Sequence, residues 1–516
     1  MLHATPAQYL HPRDPVPDAA TSFVHADELR TAFAMATSQM YKNEVPLYGD
    51  LVRIVQDINQ ATLSANNSTN GSDPQGSSSV TPDSPERLNL ERHGAIRLGL
   101  PSELRTVRHI FAVLGMYPVG YYDLSVAGLP MHATCFRPIT SESLARNPFR
   151  IFTTLLQPEL VKSDDGARDL ALQLLSRRKL FTAELLSILN TAEQQQQGHL
   201  YADQAEVFIR EALRTFSWAS GVAASTVDEY ARLRAEHPVL ADIACFRTAH
   251  INHLTPRTLN IDAAQDAMVA EGMAVKERIE GPPRRRCPIL LRQTSFLALD
   301  EPVHFLCDPS EGDTTTGERN LVQGSHCARF GEIEERGAAV TAAGRRLYDE
   351  LLAKATAAAN DGRTYDEVTA DTFRDRYPDD LRELCRQQLI YCRYRCTGKQ
   401  PTKILEDVMA KYQEAVICWA HRLVDDGVLV AEPITYEDFL PFSAAGIFQS
   451  NLQKGSSAAS DPTAHPPPPV APGGAQGSLE EALGCAITDP DTLYAQAQKD
   501  SLLASLLELG LTRTGV

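Results

Sequence analysis

The stretch Glu91 to Gly99, ERHGAIRLG, decides how this chain is read. As a β-strand its period of two puts His93, Ala95 and Arg97 on one face, so an imidazole and a guanidinium point into the same space. One reading of that pair is a metal ligand beside an anion clamp. The alternative is a surface His and a surface Arg in a charged stretch. Two more β-like segments bear on the choice. In AHINHLTPR (249–257), His250 and His253 would face opposite sides of a strand, so one of them can serve a given site. In ARFGEIEERG (328–337), Glu332 and Glu334 share a face and Glu335 takes the other. A carboxylate facing a core needs a metal or an Arg as partner, whereas a solvated strand face needs neither. Two His and one carboxylate from three separate segments make the facial triad that leaves positions open on a non-haem Fe(II).

Around these segments helical and β-like patterns mix. ADELRTAFAMATSQMYK and LYGDLVRIVQDINQATL carry apolar residues at three- and four-residue steps and predict two amphipathic helices. Helices are expected again over about 165–219, 340–359 and 403–425, and β-like pieces at HATCFRPI, IACFRTAHINHL, PILLRQTSFLAL and HCARFGEIEERG. Residues 64–86 and 454–478 are rich in Ser, Asn, Gly and Pro and lack the apolar side chains that offset ordering entropy. The expected organisation is a catalytic metal-binding domain over 24–453, with a helical insertion at about 165–219 and a disordered one at 64–86. A low-complexity linker at 454–478 and a C-terminal helical tail at 479–516, packed on the core, complete it.

Composition narrows the function. With 516 residues and 43% hydrophobic content the chain can bury a large core. Its 49 Lys and Arg against 66 Asp and Glu give a net charge of -17, the wrong sign for a protein whose main partner is a nucleic acid. The 10 cysteines form no CxxC pair and read as reduced thiols; Cys385, Cys392 and Cys396 are expected as small buried hydrophobes on a helix. No segment approaches a membrane span, and the N-terminus resembles neither a signal nor a transit peptide. A soluble intracellular protein is expected, cytoplasmic in preference to mitochondrial. Phosphate-loop, dinucleotide-binding, zincin and nucleophile-elbow signatures are absent from the sequence.

The three segments, with MYKNEVPLYGDL (40–51), GYYDLS (120–125), GPPRRRCPILLRQTSF (281–296) and EDFLPFSAAGIFQSNL (437–452), resemble in order the 2-oxoadipate dioxygenase/decarboxylase family, the hydroxyglutarate synthases. The resemblance implies an α+β fold like that of the vicinal oxygen chelate enzymes: paired βαβββ units forming a curved sheet around a metal, with added helical parts. It implies His93, His253 and Glu332 as ligands of Fe(II), so that it selects His253 over His250 and Glu332 over Glu334. It makes Arg97 a substrate contact, and it places Phe442 where the family has a substrate-contacting Val. The reaction implied converts 2-oxoadipate and O2 to 2-hydroxyglutarate and CO2, chemistry of the lysine-catabolism type. A 2-oxo acid can chelate Fe(II) through its C1 carboxylate and C2 carbonyl and leave one position for dioxygen. The competing readings are a metal-dependent lyase, isomerase or ring-cleaving dioxygenase on the same scaffold, and a non-catalytic binding protein.

Overall fold

A computed structural model describes residues 22–69, 85–161, 166–218, 221–307, 321–358, 363–401, 416–440 and 474–511. Its centre is one large curved sheet built from two βαβββ units. The first unit is β1 (Arg92–Leu98), a helix (Pro101–Val113), β2 (Tyr117–Asp123), β3 (Met131–Arg137) and β4 (Arg150–Leu156). A further strand, β5 (Val222–Thr226), precedes the second unit, which is β6 (His253–Pro256), a helix (Ile261–Ala270), β7 (Leu291–Ser295), β8 (Leu299–Leu306) and β9 (Leu321–Arg336).

Both units close alike. β4 returns parallel to β1, and β9 returns parallel to β6. β1 and β6 pair antiparallel and join the units, with Ala95 opposite His253. The strand order is β2-β3-β4-β1-β6-β9-β8-β5, and β7 pairs with the C-terminal part of β9. The two strands at the unit boundary, and β9 beside them, therefore bring the three ligand candidates to the middle of the sheet.

Alternation along β1 is as its sequence predicts. Ile96 and Leu98 join an apolar cluster with Ile151, Leu155, Phe136 and helical residues such as Phe33 and Leu51, while Ala95 joins the cluster on the other face with Phe152 and Cys135. All seven residues of β1 are buried. A strand covered on both faces removes the surface reading of His93 and Arg97.

Helices surround the sheet. Ala26–Glu44 and Pro46–Thr69 form the expected N-terminal pair, and Ala167–Arg177, Ala183–Gln195 and Ala202–Phe216 fill the stretch read as a helical insertion. A small antiparallel pair, β10 (Cys392–Cys396) and β11 (Leu429–Pro433), receives the C-terminal helix Pro490–Glu508. Gln498 accepts from the Cys392 amide at 2.8 Å and Ser501 from the Tyr394 amide at 3.1 Å, so this helix is fastened to the strand edge.

Several local expectations change. The run IACFRTAHINHL is not one strand: it opens at the end of a helix, Pro238–Ala244, and only its last residues enter β6. Pro238 at the first helical position and the His237 side chain capping the Val239 amide at 3.1 Å start that helix. Cys385 lies in a short helix, Leu381–Arg386, but Cys392 and Cys396 lie on β10, and the Cys385 and Cys392 sulfurs come within 3.1 Å. Helix Pro46–Thr69 runs into the stretch read as a disordered insertion and helix Pro85–Leu90 begins before its end; residues 70–84 lie outside the described residues. Helix Gly474–Leu483 begins inside the stretch read as a linker, whose residues 454–473 also lie outside them. Of the helix expected over 403–425, Val416–Asp425 is described. Among the described residues no helix is long and apolar enough to cross a membrane.

Candidate active site

His93, His253 and Glu332 converge as their sequence positions suggest. One nitrogen of each imidazole and one carboxylate oxygen lie within 4.8 Å of one another, and all three side chains are buried. β1 supplies His93, β6 His253 and β9 Glu332. The strands hold these residues close because little stands between them. At Gly94, next to His93, an added Cβ would sit 3.3 Å from the His253 carbonyl oxygen. At Gly331, next to Glu332, it would come within 2.4 Å of the Phe296 ring and 2.8 Å of Leu51. Tyr41, from the MYKNEVPLYGDL motif, places its hydroxyl 2.9 Å from the Asn252 carbonyl and 2.8 Å from the Phe330 carbonyl, tying together the two strands that carry His253 and Glu332.

Each ligand candidate has its own setting. His93 Nε2 is 2.9 Å from Glu332 Oε1, and its Nδ1 is 2.8 Å from Glu334 Oε2. Both are ionic contacts rather than aligned hydrogen bonds. Burial lowers the His93 imidazole's proton affinity, but the two carboxylates outweigh it and raise the pKa. Burial pushes His253 down to about 3, so it is a neutral donor throughout the physiological range. Burial raises the Glu332 carboxyl, and the two imidazoles more than offset this and hold it below the ordinary range. Glu332 Oε1 accepts from Gln293 Nε2 at 2.8 Å and Thr255 Oγ1 at 3.1 Å, whereas Oε2 is buried with no hydrogen-bond partner. An orphaned oxygen on a carboxylate grouped with two imidazoles suits a bound divalent cation, which would satisfy it. Two nitrogens and one oxygen on one side match a cation of the iron, manganese, cobalt or zinc kind.

A buried ionic lattice supports this group. Glu334 accepts two hydrogen bonds from Arg336, at 2.9 and 2.8 Å. Arg336 also donates to the carbonyls of Tyr436 and Asp438, at 2.8 and 3.1 Å. Asp438 is held by Arg137 at 2.8 and 3.0 Å and by the Tyr494 hydroxyl of the C-terminal helix, and Glu437 pairs with Arg150. These contacts anchor the segment 436–439 and set Phe439 edge-on to His93, ring centroids 5.0 Å apart, with Phe152 behind it at 5.2 Å. The site therefore has an apolar wall beside a charged foundation. Sequence reasoning did not single out Glu334's arginine or the roles of Asp438 and Tyr494; the EDF part of EDFLPFSAAGIFQSNL was the available signal.

Arg97 is buried on β1, two residues beyond Ala95, and its Nη1 hydrogen-bonds Asp242 Oδ2. It is near enough to His253 for its charge to lower that imidazole further. Arg292, the other cation considered for the substrate, is held instead by Asp262 at 2.9 and 3.0 Å and by Glu335 at 3.0 Å. Phe442 lies outside the described residues. Asp242, His250 and His326 form a second buried group whose ligand atoms also lie within 4.8 Å of one another. His250 is thus placed apart from His93 and Glu332, as its offset from His253 suggests, although it precedes β6 rather than lying on it.

The sequence and the fold agree with known proteins. The family model described as 2-oxoadipate dioxygenase/decarboxylase matches residues 33–451. Proteins of that name from Escherichia coli K12 and Pseudomonas putida KT2440 are 45% and 43% identical to this chain. The first match covers 93% of this chain and 98% of the relative, the second 95% and 99%. Among solved structures, the hydroxyglutarate synthase from Pseudomonas putida in complex with 2-oxoadipate matches with a TM-score of 0.75 at 40% identity, over 95% of this chain and 100% of that one. A crystal structure from Shigella flexneri matches with the same TM-score and identity, over 93% of this chain and 99% of that one. With two βαβββ units, a buried two-His, one-Glu group at their junction and relatives of this identity over nearly its whole length, the chain belongs to the 2-oxoadipate dioxygenase/decarboxylase family.

Proposed function

We propose that this protein is an Fe(II)-dependent enzyme that converts 2-oxoadipate and O2 to 2-hydroxyglutarate and CO2. The observation that carries the reading is the convergence of His93, His253 and Glu332 with Glu332 Oε2 unclaimed, in a chain 45% identical to a protein named for this substrate and reaction class. When bound by these residues, iron supplies a Lewis-acidic centre at which a 2-oxo acid and O2 can meet. The balance closes within the substrate. The C1–C2 bond breaks, C1 leaves as CO2, and the two atoms of O2 enter the carboxylate formed at C2 and the hydroxyl formed at C3. No second 2-oxo acid is needed.

This chain's own residues provide binding and order. Arg97 receives a substrate carboxylate, its planar fork matching the two oxygens in a way Lys cannot. Glu334 keeps a proton at His93 Nδ1, which leaves the Nε2 lone pair for the metal. Gln293 and Thr255 fix the rotation of Glu332. Phe439 and Phe152 keep water from one side of the site. Phe442, where the family has Val, limits the chain length accepted. The test is anaerobic reconstitution with Fe(II), Mn(II), Co(II) or Zn(II), followed by oxygen uptake with 2-oxo acids of graded length. Uptake is expected with Fe(II) and highest with 2-oxoadipate; equal turnover without O2 would favour a lyase or isomerase.

A further inference from the structure

The second buried group surrounds the carboxylate that holds Arg97. Asp242, on helix Pro238–Ala244, divides its oxygens between two sets of partners. Oδ2 accepts from Arg97 Nη1 and lies 3.4 Å from Asn252 Nδ2. Oδ1 is 2.9 Å from His326 Nε2 and 3.3 Å from His250 Nε2. His326 Nδ1 is 2.9 Å from the Tyr230 hydroxyl, so the ring that meets Asp242 is itself fixed from behind. Trp218 packs on both imidazoles, edge-on to His250 at 4.6 Å and stacked on His326 at 6.0 Å.

Two His and one Asp also make a possible metal centre, and charge decides between the readings. Asp242 is 3% exposed and already bears the Arg97 guanidinium. A divalent cation on Oδ1 would leave one carboxylate to neutralise two cations away from water, an arrangement whose desolvation cost has little to offset it. Without a cation, the charges of Asp242 and Arg97 cancel and the two imidazoles complete the shell. Burial raises the Asp242 carboxyl, but Arg97 and the two imidazoles more than offset this and hold it well below the ordinary range, so it stays ionised.

We infer that Asp242, braced by His326, Tyr230 and His250, is the positioning residue for Arg97: it orients the guanidinium at the end of β1 toward the His93, His253 and Glu332 site, and the group it anchors is not a second metal centre. This rests on the reading that Arg97 receives a substrate carboxylate. An Arg is a long and flexible side chain, and a carboxylate clamp that must act in a fixed plane needs a supporting contact. Tyr230 and His326 come from outside the strand that carries Arg97, so they fix it from a second direction.

The test is a double-mutant cycle on the full-length, Fe(II)-loaded enzyme, with Asp242→Asn, Arg97→Ala and the two combined, reading metal content, kcat and KM for 2-oxoadipate. One metal equivalent is expected in the parent and in every variant. Asp242→Asn is expected to raise KM about tenfold with a smaller change in kcat, and to add nothing to the KM of the Arg97→Ala protein. Additive effects in the double variant, or a parent KM in Asp242→Asn alone, would overturn the positioning role while leaving Arg97's intact. An unchanged KM in Arg97→Ala would instead overturn the substrate contact on which the inference rests. Two metal equivalents in the parent, falling to one in His250→Ala, would make the group a metal centre. Should Asp242→Asn fail to fold, Tyr230→Phe removes the brace on His326, together with the hydroxyl's contact to Arg234, and keeps the ring; a two- to threefold rise in KM that disappears in the Arg97→Ala background is expected, and no rise would count against the role.

Discussion

His93 and Glu334 are neighbours across the strand junction, with Nδ1 2.8 Å from Oε2, and Glu334 in turn accepts from Nε and Nη2 of Arg336. A carboxylate on the far nitrogen of a metal-binding imidazole fixes its tautomer and makes the near nitrogen a better donor. Burial raises the Glu334 carboxyl, but Arg336, His93 and Arg150 more than offset it, so the group stays ionised.

Replacing Glu334 by Gln keeps the shape and removes the charge. Metal affinity, measured by competition with a chelator on folded protein, is expected to fall about 10- to 100-fold, with one equivalent still bound at saturation. Complete loss of binding would make Glu334 a ligand in its own right.

Gly331 tests the packing that places Glu332. A Cβ there would overlap Phe296 and Leu51, both buried, so Gly331→Ala is expected to cost about 1–3 kcal/mol in denaturant unfolding and to weaken metal binding by shifting β9. Parent-like stability and parent-like metal content together would show that the strand spacing at the site is slack.

Much of this site could be read in the sequence because β1 and the C-terminal end of β9 are buried and alternate. His93 and Arg97 share a face, as do Glu332 and Glu334, and Ile333 between the last two packs into the opposite apolar cluster. The choice of Glu332 over Glu334 was not legible from alternation alone: Arg336, two residues on, shares Glu334's face by the period of two, but Arg150, which also claims Glu334, comes from a strand distant in sequence. Asp242 was missed for a different reason. It sits in a seven-residue helix too short to show a helical period, immediately before the run IACFRTAHINHL that reads as a strand. His326 shares the sequence parity of Glu332, but a register shift of β9 between Cys327 and Arg329 separates the two, and no local pattern in the sequence marks that shift.

Glu91, at the start of the segment ERHGAIRLG, gives the acid response. It is fully buried, and although desolvation raises its carboxyl, Arg257, Arg150 and Arg87 outweigh that and hold it far below the ordinary value of 4.5. A depressed folded pKa gives stability that is fully present above the unfolded value and is lost as the pH falls toward the folded one, because only the unfolded chain takes up the proton. Glu91→Gln is therefore expected to lower stability at neutral pH and to flatten its fall below about pH 4.5, by up to ~1.4 kcal/mol per pH unit. Unfolding curves of parent and variant at several acidic pH values measure this; parallel pH dependences would contradict it.

The role proposed for Phe442, which stands where the family has Val, can be tested through substrate length. Phe442→Val is expected to improve kcat/KM for 2-oxo dicarboxylic acids one or two methylenes longer than 2-oxoadipate, by about 10- to 200-fold per well-placed methylene at most. A length profile identical to the parent's would leave Phe442 no role in substrate length.

The central claim is that one substrate molecule supplies both the chelating 2-oxo acid and the carbon that is oxidised. The direct measurement follows O2 consumed, CO2 released and 2-hydroxyglutarate formed by the Fe(II)-reconstituted enzyme acting on 2-oxoadipate with no other 2-oxo acid present. Equal amounts of all three are predicted, with 18O from 18O2 entering the product. Turnover that needs an added 2-oxo acid, or CO2 release that continues without O2, would contradict the account.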